Sequence, residues 1–225
     1  MKRRSASLAV MAALAASLLS ACMSLGLGGD TPAQTQYLLH DAAAAASVGP
    51  RRSEPVVAAL LIQPLSADAA ADTVAIAYSR RANEFAQYQF ATWTERPLRQ
   101  VPRLLQQRLE ARGVAGAVGL IGEPLRTDWL LTVAIDTLHH DVSAPPGLAR
   151  VAITAELFDR RQRTRVSRRQ FSVAVPTASA DAPSAAAAMS SSLSQAFDGL
   201  VPWLEAELQK ATNSATNSAP GKAPG

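Results

Sequence analysis

Hydrophobic and polar positions alternate or cycle along most of this chain in patterns that each name an element. Val56 to Ile62 is a run of apolar residues that predicts a buried strand, ended by Pro64. Tyr37 to Leu39 is a shorter candidate strand, and Thr73 to Tyr78 is another. Glu84 to Phe90 alternates weakly, with Phe85 and Tyr88 placed inward. Leu98, Val101, Leu105 and Leu109 then recur every three or four residues, the spacing of one apolar helix stripe, and Gly113 supplies the stop. Thr92-Trp93-Thr94-Glu95 offers a capping-box start, and Pro97 suits a first turn. Pro102 does not suit a helix interior, so the helix either kinks there or begins later.

The period changes to two after residue 128. Trp129, Leu131, Val133 and Ile135 occupy alternate positions, as do Val151, Ile153, Ala155 and Leu157, with Asp159 to Thr164 as the turn. A return strand follows through Phe171, Val173 and Val175, its earlier half rich in arginine and suited to an exposed edge. Asp181 and Pro183 open a long helix whose stripe is Met189, Leu193, Phe197, Leu200, Leu204 and Leu208, bent at Pro202. The expected fold is α+β: a mostly antiparallel sheet with two amphipathic helices on one face, forming a single domain over residues 36–210.

The ends read differently. Lys2-Arg3-Arg4 precedes an apolar run from Ala6 to Leu19, the n- and h-regions of a signal peptide, too short for a good permanent span. Leu19-Ser20-Ala21-Cys22 fits a lipobox, which predicts a signal peptide over 1–21 and acylation of Cys22, palmitate included. An ordinary secretory signal ending at a chance cysteine is the other reading. Cys22 is the sole cysteine, so no intrachain disulfide can form. Met23 stands where Asp would mark inner-membrane retention, which favours a periplasm-facing lipoprotein at the outer membrane over the inner one. Residues 22–35 read as the acylated cysteine and a flexible tether, and residues 211–225 as a disordered tail.

Charge changes the picture once the signal is removed. The chain has 22 basic and 18 acidic residues, but three of the basic ones precede Cys22 and none of the acidic ones does, leaving 19 against 18. The mature chain is close to neutral and secreted, which argues against nucleic acid as a partner. One basic cluster stays, at Arg160, Arg161, Arg163, Arg165, Arg168 and Arg169; it is a solvated hairpin tip and edge, or else a contact for phosphate head groups or an acidic partner.

Candidate chemistry is sparse. There is no Gly-x-Ser-x-Gly elbow, P-loop or His-Glu-x-x-His, and acylation would consume the one thiol, so no enzyme activity or cofactor is expected. His139-His140-Asp141 invites a metal, but adjacent strand residues face opposite ways, so no metal site is expected there. Asp136 interrupts an apolar strand and is expected on the solvent face. Tyr78, Phe85, Tyr88, Phe90 and Trp93 gather within sixteen residues, as core packing or as a surface facing lipid or a partner.

In this stretch the chain resembles the ABC-type transport auxiliary lipoprotein family, which accompanies MCE-type lipid-transport systems. The resemblance is carried by Ile76-Ala-Tyr78, Asn83-Glu-Phe85, Tyr88, Ala91-Thr-Trp93, Pro97 and the amphipathic run to Gly113-Val114. It continues through Trp129 to Asp141, Ala155 to Asp159, Arg169-Gln-Phe171 and the Ala-rich last helix. It implies a non-enzymatic, membrane-anchored component that works with an MCE-domain protein and an inner-membrane ABC permease and ATPase to move phospholipids or related lipids between the membranes. It also implies that Tyr78, Phe85, Tyr88 and Trp93 mark a contact surface or its supporting core. The Ala/Asp-rich loop after Pro64 departs from relatives. A structural lipoprotein that stabilises an envelope complex without touching cargo is the alternative, and the sequence leaves a homo-oligomer open.

Overall fold

In the computed structural model, residues 33–41, 50–66 and 69–217 are described; Cys22, the signal segment and residues 218–225 lie outside them. The strands are β1 (Thr35–Tyr37), β2 (Val57–Ser66), β3 (Ala75–Arg81), β4 (Glu84–Trp93), β5 (Ala115–Leu120), β6 (Trp129–Asp141), β7 (Leu148–Asp159) and β8 (Thr164–Pro176). Helices α1 (Pro97–Arg112) and α2 (Ala182–Asn217) complete an α+β domain.

All eight strands form one mixed sheet organised around β6. Its 13 residues pair along one edge with β7 throughout, antiparallel, and β7 pairs in the same sense with β8. The other edge of β6 is divided. β2 runs parallel to its first half, from Leu61↔Leu130 to Ser66↔Ile135, and β3 parallel to its end, at Tyr78↔His140 and Ser79↔Asp141. Between them the chain leaves the sheet for a short 3-10 turn, Ala69–Asp72. β5 adds to β2 in parallel, while β4 folds back antiparallel on β3 and takes β1 in parallel on its far side. The long β6–β7 and β7–β8 ladders are thus antiparallel, as the alternating patterns predict, while β2 and β3 add to the other edge of β6 in parallel.

The helices pack on the sheet with the spacing their stripes imply. Val101, Leu105 and Leu109 of α1, and Met189, Leu193, Phe197, Leu200, Leu204 and Leu208 of α2, join one core with Leu60, Ile62, Leu131, Val133, Ile153 and Leu157. Fully burying each such side chain contributes about 1.5–3 kcal/mol, which is why the stripes survive Pro102 and Pro202 inside the helices.

Three local expectations are revised. Pro64 does not end β2 but lies within it, opposite Val133 of β6. Past Ile62, β5 no longer pairs with β2, so a residue without an N–H costs no ladder bond on that side. The capping box does not form: Glu95 Oε1 accepts from the Arg96 N–H, and α1 starts at Pro97 with no side-chain cap. Its other end behaves as expected, Gly113 adopting φ 73° and donating to Leu109 O. Finally, α2 runs to Asn217, seven residues into the segment expected to lack structure.

Candidate functional site

The aromatic cluster is built by the β3–β4 hairpin. Arg81 and Glu84 close a two-residue turn in which Asn83 takes φ 62°, a left-handed conformation that Asn tolerates better than most residues. Beyond the last pairing with β6, at Ser79, the hairpin tip extends past the sheet ladder, and Arg80 to Gln87 are exposed. Tyr78 and Tyr88 meet across the hairpin with ring centroids 4.9 Å apart, and the Arg80 guanidinium lies 5.2 Å from the Tyr78 ring.

At the hairpin's base sits His140, which is fully buried. A strict alternation from Leu131, Val133 and Ile135 would put His139 inward and His140 outward. A bulge reverses this: Ile135 pairs with Ile153 but Thr137 with Ala152, so Asp136 is the extra residue and Leu138 and His140 take over the inner face. Asp136 is left on the outer face, accepting from Thr154 Oγ1 at 2.6 Å and Gln170 Nε2 at 2.9 Å.

The hydrogen bonds around His140 have one consistent direction. Thr177 Oγ1 donates to Pro146 O at 2.8 Å, so it accepts from His140 Nε2–H at 3.0 Å. His140 Nδ1 is then the acceptor for the Tyr88 hydroxyl at 2.8 Å. Such a chain holds the ring neutral, and burial pushes its pKa below the ordinary value. Burial, followed by the charge of Asp181 and the neighbouring Tyr78, raises the Tyr88 phenol to about 12. Asp181 itself is the N-cap of α2, accepting from the Ser184 N–H at 2.9 Å; the Ser179 and Ser184 bonds keep its pKa low. The Ser143 hydroxyl and N–H, then Arg150, hold Asp141 down to about 2. No step of this network points at an open reacting position; it is a polar rivet joining β4, β6, the β6–β7 loop and the segment just after β8.

The expected contact residues separate accordingly. Phe85, expected to point inward, is instead 62 % exposed, its ring edge-on to His139 at 5.0 Å. Tyr78 and Tyr88 are half-buried supports, and Trp93 is core, its N–H donating to Val74 O. Phe90 adds a second exposed ring on β4. The basic cluster lies at the β7–β8 turn and along β8, exposed, with Arg165 and Arg168 both paired to Glu156.

Sequence patterns did not single out a second polar centre. Arg108 is almost fully buried, clasping Asp41 through Nε and Nη2 at 2.6 and 2.5 Å and reaching Asp198 at 2.5 Å. Ser194 donates to the same Asp41 carboxylate at 2.6 Å, and Arg108 Nη1 donates to Ser194 O at 3.2 Å. The cluster ties the segment after β1 to both helices. A signal for it exists: Arg108 stands seven residues after Val101 and three after Leu105, so it interrupts the apolar stripe, where a charge requires a partner. Nothing local marks Asp41 as that partner.

Among the described residues no group of three or more His, Cys, Asp or Glu could hold a metal, and no helix is long and apolar enough to cross a membrane.

Comparison with known proteins places this arrangement. No curated protein matches the chain. The crystal structure of protein XCC0632 from Xanthomonas campestris superposes with a TM-score of 0.70 at 25% identity, covering 80% of this chain and 99% of that one. A second crystal structure, of an uncharacterized protein, shares the fold at a TM-score of 0.55 and 13% identity, over 69% of this chain and 96% of that one. The family model described as "ABC-type transport auxiliary lipoprotein component" matches residues 37–200, which run from β1 through the hairpin, α1 and the β6–β8 meander into the last helix. With most of its length so matched, this chain belongs to the ABC-type transport auxiliary lipoprotein family.

Proposed function

We propose that this protein is the lipid-anchored, periplasm-facing auxiliary component of an MCE-type ABC system that moves phospholipids or related lipids between the two membranes. Family membership makes it an auxiliary lipoprotein of an ABC-type transport system, in a family that is not one of enzymes, and implies a membrane-anchored place in the cell envelope. The finer reading is carried by the match over residues 37–200 together with the lipobox ending at Cys22. In it, residues 1–21 are removed, Cys22 is acylated, and Met23 directs the protein to the outer membrane. Energy comes from the partner ATPase, since the chain has no P-loop. Phe85, supported by Tyr78 and Tyr88, is the contact point for partner or lipid.

The test is affinity purification of the acylated full-length protein from its own cells in mild detergent. Recovery of an MCE-domain protein with an ABC permease or ATPase is expected; recovery of neither overturns the proposal. Phospholipid that co-purifies with the complex beyond the acyl chains on Cys22 separates the cargo-handling role from a purely structural one, which predicts protein partners and no bound lipid.

A further inference from the structure

We infer that the tip of the β3–β4 hairpin rests on the lipid surface that holds the protein's own acyl anchor, with Phe85 inserted among the head groups. The inference builds on the reading of Cys22 as acylated and goes beyond it by orienting the folded domain.

The argument starts from strand direction. β1 is parallel to β4, with Thr35 opposite Ala91 and Tyr37 opposite Trp93. A strand parallel to β4 is entered from the end at which β4 begins, and that end is the hairpin turn. Had β1 been antiparallel, the chain would have entered the domain at the opposite end. The pairing is firm for so short a strand: the Thr94 N–H donates to Tyr37 O at 2.9 Å, Gln100 Nε2 donates to Leu39 O at 3.2 Å, and Arg108 clasps Asp41.

Chain lengths fit this orientation. Phe85 lies six residues before Ala91 on β4, so the tip extends past Thr35 by about 20 Å at ~3.3 Å per strand residue. From Cys22 to Thr35 there are thirteen residues, which span at most about 45 Å at ~3.4 Å each. That reach exceeds the ~20 Å between Thr35 and the tip, so the chain length allows the tip to touch the surface in which Cys22 is embedded.

The chemistry of the tip suits a phospholipid surface. Phe85 is the most exposed large apolar side chain among the described residues. Arg80 and Arg81 against Glu84 leave the turn one charge positive. An exposed aromatic ring beside a net-positive turn gains from burying its apolar body while the cations stay at the phosphates.

The experiment uses the full-length protein, matured in cells, so that acylation of Cys22 leaves a cysteine placed by Phe85→Cys as the one free thiol. That thiol carries an environment-sensitive dye, and a Gln162→Cys variant, labelled alike, reports the exposed β7–β8 turn. Each is reconstituted into phosphatidylethanolamine/phosphatidylglycerol vesicles with and without head-group-proximal nitroxide lipid. Blue-shifted emission that nitroxide lipid quenches at position 85, and not at 162, is the expected result. Equal emission and equal quenching at the two positions overturn the orientation while leaving the anchor intact. Mass spectrometry of the same samples reads the acyl chains directly, so an unacylated Cys22 overturns the anchor and the inference with it.

Discussion

Substituting Asp41 removes the principal carboxylate from a guanidinium that has almost no access to water. Arg108 and Asp41 are each 2 % exposed at the side chain, whereas Asp198, the second partner, is 42 % exposed. Breaking a buried pair on one side costs about 3–5 kcal/mol, because the remaining charge stays desolvated. Asp198 retains part of the compensation, so Asp41→Asn is expected at the lower end, ~3 kcal/mol. In a domain of this size that loss lowers Tm by roughly 6–12 °C. Guanidinium unfolding followed by the fluorescence of the buried Trp93 and Trp203 measures it. The double variant Asp41→Leu/Arg108→Met takes both charges away and is expected to recover most of the loss, since a hydrophobic replacement of a buried pair is often neutral or stabilising. A loss below about 1 kcal/mol for Asp41→Asn would show that Asp198 alone satisfies the arginine. A double variant no better than the single one would refute the account based on an uncompensated charge.

Three further outcomes are expected. Gly147→Ala combines a φ of 110° with a Cβ driven against His140 Nε2, so it should cost at least ~2 kcal/mol in the same unfolding assay. Because burial lowers the His140 pKa below 6.5, the unfolded chain binds that proton more readily; this contribution to stability is complete above pH 6.5 and is lost as pH falls beneath it. His140→Gln should flatten that slope in unfolding midpoints taken from pH 7.5 to 5, while midpoints extended down to pH 2 should still show the loss from Asp141 between its ordinary 3.8 and about 2. Phe85→Ala, at an exposed position, should change stability by less than ~0.5 kcal/mol in the same unfolding assay.

Much of this architecture is legible in the chain because burial imposes a period. Met189 to Leu208 can keep a helical stripe only if one face is dry, and Val151 to Leu157 can alternate only if one sheet face is. β5 is the counterexample. Ala115-Gly-Ala-Val-Gly-Leu120 offers neither alternation nor bulk, and its identity as a strand rests on parallel pairing with β2, whose residues lie some sixty positions earlier. Gly116 allows that approach, since a Cβ there would come within 2.7 Å of Ala58 O. The aromatic cluster was visible as a cluster, but not its division into an exposed Phe85, half-buried tyrosines and a core Trp93.

The sequence by itself determined the class of the protein: the lipobox pattern at Cys22, the near-neutral charge of the chain that follows it, the two amphipathic helices and the meander all follow from local composition and periodicity. Only the tertiary structure decided which histidine is buried, which carboxylate answers Arg108, and at which end of the domain the chain enters. Each of those depends on a relation between distant segments: the bulge at Asp136, the 67-residue separation of Asp41 from Arg108, and the parallel register of β1 on β4. A one-residue bulge reverses every side chain after it, and a short strand pairs in whichever direction its neighbours' exposed backbone groups dictate. Neither leaves a trace in the order of the residues.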